Sequence, residues 1–430
     1  METCALDKNL RKQRERTNFL YVIEAALEYF ITMLFTGAYL ATLTKELGVS
    51  DALTGILSSV VALAQSFQLV ALFMAHHGKV KRRTVFLQTL SQIAFALVYF
   101  VPIFQGSPEL KIVLFMTLLL LAYALHNIVY PAKTNWFMSQ VEDKKRGSFT
   151  ATKEIVSLLG GMVFSFAISF FIDELKAAGD VRGAFLLGGI AITVLTVLHA
   201  LTLILSHEED ETTAKRQAVS SRQMLKGMVK DKKMRLVILL PVCWSIAHFV
   251  ATPFNGSYTI KELGFSLTFM SILSAIGSVS RAVCSRTIGK YADKTSFTTA
   301  LNLCFSIAAV GFLIHTFTAP TTNWLYPVGS VLYCIAMAGI NSGEINLIYD
   351  FVEPERRVGA LALKNFLAGT AGFLTTLAMS PLIEFIQASG NTFLGLPVYA
   401  QQVANAFAFL LTIATIVYLN LVVRKLEKTK

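Results

Sequence analysis

Twelve stretches of about 20 or more mostly apolar residues follow one another along this 430-residue chain. They lie near 18–44, 52–75, 84–105, 110–138, 148–173 and 183–206, then near 235–260, 266–287, 297–318, 324–350, 358–387 and 400–423. A run of that length crosses the roughly 30 Å hydrocarbon core of a bilayer as an α-helix. Inside lipid, helices satisfy every backbone N–H and C=O without leaving an open edge. Hydrophobic residues make up 54% of the chain and charged residues 15%, with a mean hydropathy of +0.58; water-soluble domains do not carry that balance. The sequence predicts an all-α membrane protein with twelve transmembrane helices.

The chain is also a duplicated unit. Lys45-Glu46-Leu47-Gly48-Val49-Ser50 returns 216 positions later as Lys261-Glu262-Leu263-Gly264-Phe265-Ser266, and Ile56-Leu57-Ser58 falls on Ile272-Leu273-Ser274 at the same offset. At an offset of 211, Val141-Glu142-Asp143-Lys144-Lys145-Arg146 matches Val352-Glu353-Pro354-Glu355-Arg356-Arg357. Two pseudo-symmetric six-helix bundles are expected, 18–206 and 235–423, joined by a polar linker at 207–234 and flanked by tails at 1–17 and 424–430. Paired repeats around a central site are a common construction of secondary transporters.

Of the 38 Lys and Arg, 29 fall in the tails and the even-numbered loops when both termini are placed inside. Lys45, Lys111, Lys176, Arg182 and Lys261 fall outside, and four more lie within spans. The excess of positive charge predicts cytoplasmic amino and carboxyl termini, and basic loops against anionic headgroups account for the net charge of +11 without nucleic acid. In the linker, Met224, Leu225 and Met228 interleave with Lys226 and Lys230, the pattern of either a short interfacial helix or a solvated tether. Cys4, Cys243, Cys284, Cys304 and Cys334 have no paired spacing and read as small apolar fillers. No metal-ligand spacing, phosphate loop or nucleophile elbow is present, so no cofactor and no enzymatic activity are expected.

Six plus six spans, inward termini and a long central loop resemble the major facilitator superfamily, whose loop motifs are recognisable. Its Gly-x-x-x-Asp-[Arg/Lys] signature stands between spans eight and nine as Gly289-Lys290-Tyr291-Ala292-Asp293-Lys294. The copy between spans two and three is worn: Met74 and Gly78 replace the glycine and aspartate, while Lys79, Arg82 and Arg83 keep the basic part. Pro131 and Arg146-Gly147 match the spacing between spans four and five, and Gly160-Gly161 is the remnant of the exporter-associated motif in span five. Short external connections with no large glycosylated loop suggest a bacterial inner-membrane protein, and the resemblance implies a transporter. It assigns Lys79, Arg82, Arg83, Gly289, Asp293 and Lys294 to a cytoplasmic gate and sets a central path along spans one, four, seven and ten.

Charged side chains at bilayer depth are costly and mark candidate sites. Glu24 and Glu28 sit four apart on one face of span one, Glu28 about 18 Å in from Arg16 at 1.5 Å per residue. Lys133 maps onto Glu344, and Asn135 onto Asn346, at the offset of 211. The resemblance places these six residues and Asn341 on the central path, with Arg281, Lys364 and Asn365 joining from the second ring and Trp136 and Trp244 shaping an apolar pocket. Packed salt bridges with a structural role are the plainer reading, since such pairs gain little net stability. A buried carboxyl that can neutralise by taking up a proton suits proton coupling, and the partner of Glu28 under the 216 offset is Trp244, so no symmetric scaffold requires an acid there. His126 and His248 read as hydrogen-bonded core residues.

The function expected is a monomeric secondary transporter for a small organic solute, working by alternating access and coupled to protons through Glu24 and Glu28. Proton-driven efflux of lipophilic cations and uptake of an organic anion held by Lys133, Arg281 and Lys364 are the alternatives. Membrane lipid is the other expected partner.

Overall fold

A computed structural model describes residues 2–74, 80–142, 146–208, 231–352 and 357–428. Lys79 of the expected gate and residues 209–230 of the linker, with Met224, Leu225 and Met228, lie outside them. The described chain is helical almost throughout: α1 (Glu2–Met33), α2 (Gly37–Glu46), α3 (Asp51–Met74), α4 (Val80–Phe100), α5 (Pro108–Ser139), α6 (Arg146–Ala177) and α7 (Val181–Leu205) precede the linker. After it come α8 (Lys232–Phe249), α9 (Leu267–Lys294), α10 (Phe297–Thr316), α11 (Leu325–Phe351), α12 (Arg357–Ala388) and α13 (Ala400–Tyr418). Among the described residues, nine helical stretches are long and apolar enough to cross a membrane, and the pair Lys12–Met33 and Gly37–Glu46, bent by 45°, adds a tenth. Helices α3 and α4 occupy the second and third places, and α4 opens with Lys81, Arg82 and Arg83.

The two copies of the hexapeptide have one local explanation. Gly48 and Gly264 both adopt φ of +68°, the left-handed conformation that ends a helix and that glycine takes without steric cost. Two residues on, the hydroxyls of Ser50 and Ser266 accept hydrogen bonds from the backbone of Leu53 (3.3 Å) and Phe269 (3.1 Å). Each serine thus caps the next helix at its third position. Leu-Gly-x-Ser is a helix stop followed by a helix start, written twice.

The first span of each repeat is broken at equivalent positions. Around 34–36 the chain leaves α1 before α2, and 216 residues later, from Val250, α8 gives way to short turns at Thr252–Phe254, Asn255–Ser257 and Tyr258–Glu262. Backbone carbonyls released in a membrane must find other donors. Tyr99 donates to the Leu34 carbonyl (3.1 Å) and Tyr123 to that of Phe35 (3.3 Å). In the second half, Thr376 donates to the Phe249 carbonyl (2.8 Å) and Gln401 to that of Ala251 (2.9 Å). The breaks are built into both repeats and satisfied by neighbouring helices.

By packing, the chain divides into two compact units, Met1–Tyr39 with Val70–Gln217, and Leu40–Leu69 with Ala218–Lys430. The first is centred on Phe35, Phe95, Tyr99 and Tyr123, whose rings meet tilted or edge-on. Gly188 and Gly189 of α7 admit the rings of Tyr99 and Phe100, the close approach by which small residues join helices where lipid removes the hydrophobic drive. The second is built around Trp244, Phe305 and Phe312. Its α12 to α13 connection is a small hairpin pairing Thr392–Phe393 with Leu396–Pro397.

Leu40–Leu69 belongs with the second unit because of Asp51, which is 9% exposed at the start of α3. Its Oδ1 lies 2.6 Å from Nζ of Lys261 and also accepts from the Ser257 hydroxyl, while Oδ2 accepts from Gln387 at 2.6 Å. Lys261 donates further to the Val49 carbonyl (3.0 Å), so the lysine of one hexapeptide holds the backbone of the other. Farther along α3, Ser66 meets Thr370 (3.1 Å). Charge-assisted hydrogen bonds out of water are the strong ones. A double-mutant cycle of Asp51→Asn and Lys261→Gln, read by the unfolding midpoint in detergent, is expected to return a coupling energy of about 0.5–3 kcal/mol; additive single effects would show that the clasp carries no energy.

Candidate functional site

The acids of α1 sit one helical turn apart, and both face α5 in the first unit. Lys133 of α5 reaches between them. Its Nζ lies 2.7 Å from Glu24 Oε1 and closer still to Glu28 Oε2. Glu24 and Lys133 are almost wholly buried, and the Glu28 side chain is 12% exposed. Two residues before the lysine, Pro131 interrupts the backbone ladder of α5 without ending the helix.

Three more side chains complete the cluster. From α7, His199, with no exposed surface, places Nε2 at 2.9 Å from Glu24 Oε1. From α4, Gln88 donates to Glu28 Oε2 (2.9 Å) and lies 3.4 Å from Nδ1 of His126, whose Nε2 is 3.7 Å from Glu28 Oε1. An ionised carboxylate only accepts, so His199 carries its proton on Nε2 when Glu24 is charged. Glu24 Oε2, Gln88 Oε1 and both side-chain amide atoms of Gln92, one turn beyond Gln88, are buried without a partner among the described residues. Such atoms are where water or a ligand is held.

The charge count gives the cluster its chemistry. Two carboxylates and one ammonium leave one negative charge when the imidazoles of His199 and His126 are neutral. At membrane depth that residue of charge is costly, and one proton or one monovalent cation removes it. Glu24, Glu28 and His199 bring one ligand atom each to within 4.8 Å of one another. Lys133 Nζ touches both carboxylates, so the ammonium stands where a metal ion would sit.

In the second unit Glu344 of α11 is buried and pairs at 3.0 Å with Lys364 of α12, leaving Glu344 Oε1 buried and without a partner among the described residues. Asn365, next to Lys364, has Nδ2 3.5 Å from Gln68 Oε1. Asn341 is exposed and Asn346 half-buried on the same helix. His248 is hydrogen-bonded to Tyr333 (2.5 Å) and Thr252 (3.1 Å), and Trp244 packs against it.

Of the residues picked from sequence, Glu24, Glu28 and Lys133 form one cluster, and Glu344 and Lys364 form one pair. Asn135 and Arg281 are exposed. Trp136 is stacked on Phe137 and donates its indole N–H to the His207 carbonyl (3.2 Å). Arg82, Arg83, Gly289, Asp293 and Lys294 are exposed at or near the ends of α4 and α9. His199, Gln88 and Asp51 were not picked out. The signal for His199 was a lone imidazole in an otherwise apolar span, and for Gln88 a second amide four residues on at Gln92.

Replacing Lys133 by Ala leaves two facing carboxylates buried and uncompensated. The expected loss is about 3–5 kcal/mol, seen as a lower unfolding midpoint in detergent. Adding Glu24→Gln and Glu28→Gln to the same protein is expected to restore most of it.

The solved structures similar to this chain share one architecture. A point mutant of nucleoside transporter NupG superposes with a TM-score of 0.73 over 94% of this chain and 99% of that one, at 14% identity. A D-xylose-proton symporter gives 0.67 over 93% and 96%, at 13%. The POT family transporter PepTSo gives 0.67 over 94% and 97%, at 10%. No curated protein matches the sequence. The family model of the Major Facilitator Superfamily matches residues 23–376, and the chain belongs to that superfamily of membrane transporters.

Proposed function

We propose that this transporter moves a small organic solute by alternating access and that the α1 cluster couples the movement to protons. The observation that supports this reading is the excess of carboxylates over ammonium in the cluster, Glu24 and Glu28 around the one Lys133, with His199 and His126 beside them. An ionised cluster costs free energy wherever water is excluded, and a protonated one is neutral. Glu28 takes the proton, because it keeps some exposure while Glu24 is closed off by Lys133 and His199. Protonation loosens the Glu28 bond to Lys133 and to Gln88, which frees α1 to move against α4 and α5. A D-xylose-proton symporter among the similar structures is consistent with such coupling.

The bundles 18–206 and 235–423 are the moving bodies in this reading, and the polar residues Glu344, Lys364, Asn365, Asn341, Asn346 and Asn135 serve the solute. In this reading both termini lie in the cytoplasm, as the excess of Lys and Arg in the tails and even-numbered loops favours, and the protein is a monomer of a bacterial inner membrane. Export of lipophilic cations is a second reading, favoured by the same unbalanced charge, which a monocation would neutralise. Grip of an organic anion is disfavoured, because Lys133 and Lys364 are each engaged by a carboxylate.

Proteoliposomes holding a pH-sensitive dye, challenged in turn with sugars, nucleosides, organic acids, amino acids and lipophilic cations, test both readings. Wild-type protein is expected to move protons inward with one solute class, and Glu28→Gln to abolish gradient-driven accumulation while keeping exchange of solute down its own gradient. Accumulation that survives in Glu28→Gln would remove the proton from this site. Proton movement opposite to a lipophilic cation would select the exporter.

A further inference from the structure

Between α4 and α7 of the first unit runs an open groove of about 680 Å³. Phe86, Leu90 and Ile93 line one wall, Ala200 and Ile204 the other, and small Ala200 leaves the space between them. Phe86 is 67% and Ile204 51% exposed, so these side chains turn away from the interior of the unit. From Lys81 to Ile93 the groove follows α4 for about 18 Å, close to the half-thickness of a hydrocarbon core of roughly 30 Å. It therefore runs from headgroup depth to about the midplane.

Charged groups stand at one end only. Lys81, Arg82 and Glu208 line the mouth where α4 begins. Glu208 Oε1 accepts from the backbone N–H of Val80 (2.7 Å) and Lys81 (3.2 Å), so the carboxylate is committed to the exposed donors of the first turn and to the helix dipole. Lys81 and Arg82 make no ion pair among the described residues, and the mouth carries one net positive charge. That balance complements a single phosphodiester, and an apolar trough open along its length complements an acyl chain. Beyond the mouth the hydroxyl of Thr89 is the one polar group that the described lining offers a water-soluble solute.

We propose that the groove between α4 and α7 binds one anionic phospholipid, with its phosphate on Lys81 and Arg82 and an acyl chain along Phe86, Leu90, Ile93 and Ile204. Headgroup selection at this groove resides in these two cations. Because Arg82 belongs to the basic loop segment that opens α4, the bound lipid ties that segment to the bilayer.

The test uses the full-length protein in detergent, titrated with phosphatidylglycerol or phosphatidylcholine of identical chains. Readouts are the unfolding midpoint and the one-to-one adduct in native mass spectrometry. Phosphatidylglycerol is expected to bind roughly five- to thirtyfold more tightly, the size that one or two basic residues at a membrane surface supply. Lys81→Gln with Arg82→Gln is expected to erase the preference, and Ala200→Trp, which fills the trough, to weaken both lipids. If the double variant is not recovered folded, Arg82→Gln alone, at an exposed position, is expected to reduce the preference severalfold. Equal binding of the two lipids, a preference unchanged in the variants, or full reproduction of the effect by inorganic phosphate would overturn the assignment.

Discussion

A lysine held between two glutamates in the interior of the first unit is the constraint on which the rest of that unit depends. An ammonium or a carboxylate alone at bilayer depth is expensive, and a pair gains little over an apolar substitute of the same shape. Cohesion is therefore a poor reason for such a cluster. Its members come from α1, α4, α5 and α7, so these helices must hold a register that brings one turn of each to the same depth. The aromatic packing of Phe35, Phe95, Tyr99 and Tyr123 and the glycines of α7 supply that register. In the same unit, Tyr99 and Tyr123 also accept the task of satisfying the break after α1, so one set of side chains fixes both the bend and the neighbourhood of the charges.

The duplication acts on the scaffold and not on the charges. Helix stops at Gly48 and Gly264, helix starts at Ser50 and Ser266, and breaks near 34 and 250 obey one offset, and each has the same backbone reason in both copies. Lys133 and Glu344 occupy equivalent positions with opposite charge, and each finds its partner inside its own unit, on α1 in one case and on α12 in the other. The backbone is repeated while the buried charges are not, so the repeat by itself explains the scaffold and leaves the charges to a separate cause.

Most of the scaffold was legible because it is local or periodic. Apolar runs announce spans by length, and a Leu-Gly-x-Ser repeat announces a turn by residue type. The pairing of Glu24 with Glu28 was legible too, since four residues set them on one helical face. What could not be read was which helix supplies the answering charge. Lys133 lies 105 residues from Glu28 and His199 lies 175 from Glu24, and no pattern in the chain states that separation. Asp51 escaped for the opposite reason: an acid at the first turn of a helix is so ordinary a helix-dipole partner that its grip on Lys261, Ser257 and Gln387 is invisible without coordinates. Trp136 was read as an aromatic shaping an apolar pocket, whereas its ring packs with Tyr21 and Phe137 in the core.

The parity of the buried charges separates a structural cluster from a working one. Had α1 carried a single glutamate, Lys133 would neutralise it, and neither a proton nor a cation would be required at any stage. With two, and the imidazoles neutral, the cluster keeps one negative charge. In the reading proposed above, proton uptake on Glu28 removes that charge and weakens the bonds that tie α1 to Lys133 and Gln88. Burial sets the two carboxylates apart, the side chain of Glu24 being 1% exposed and that of Glu28 12%.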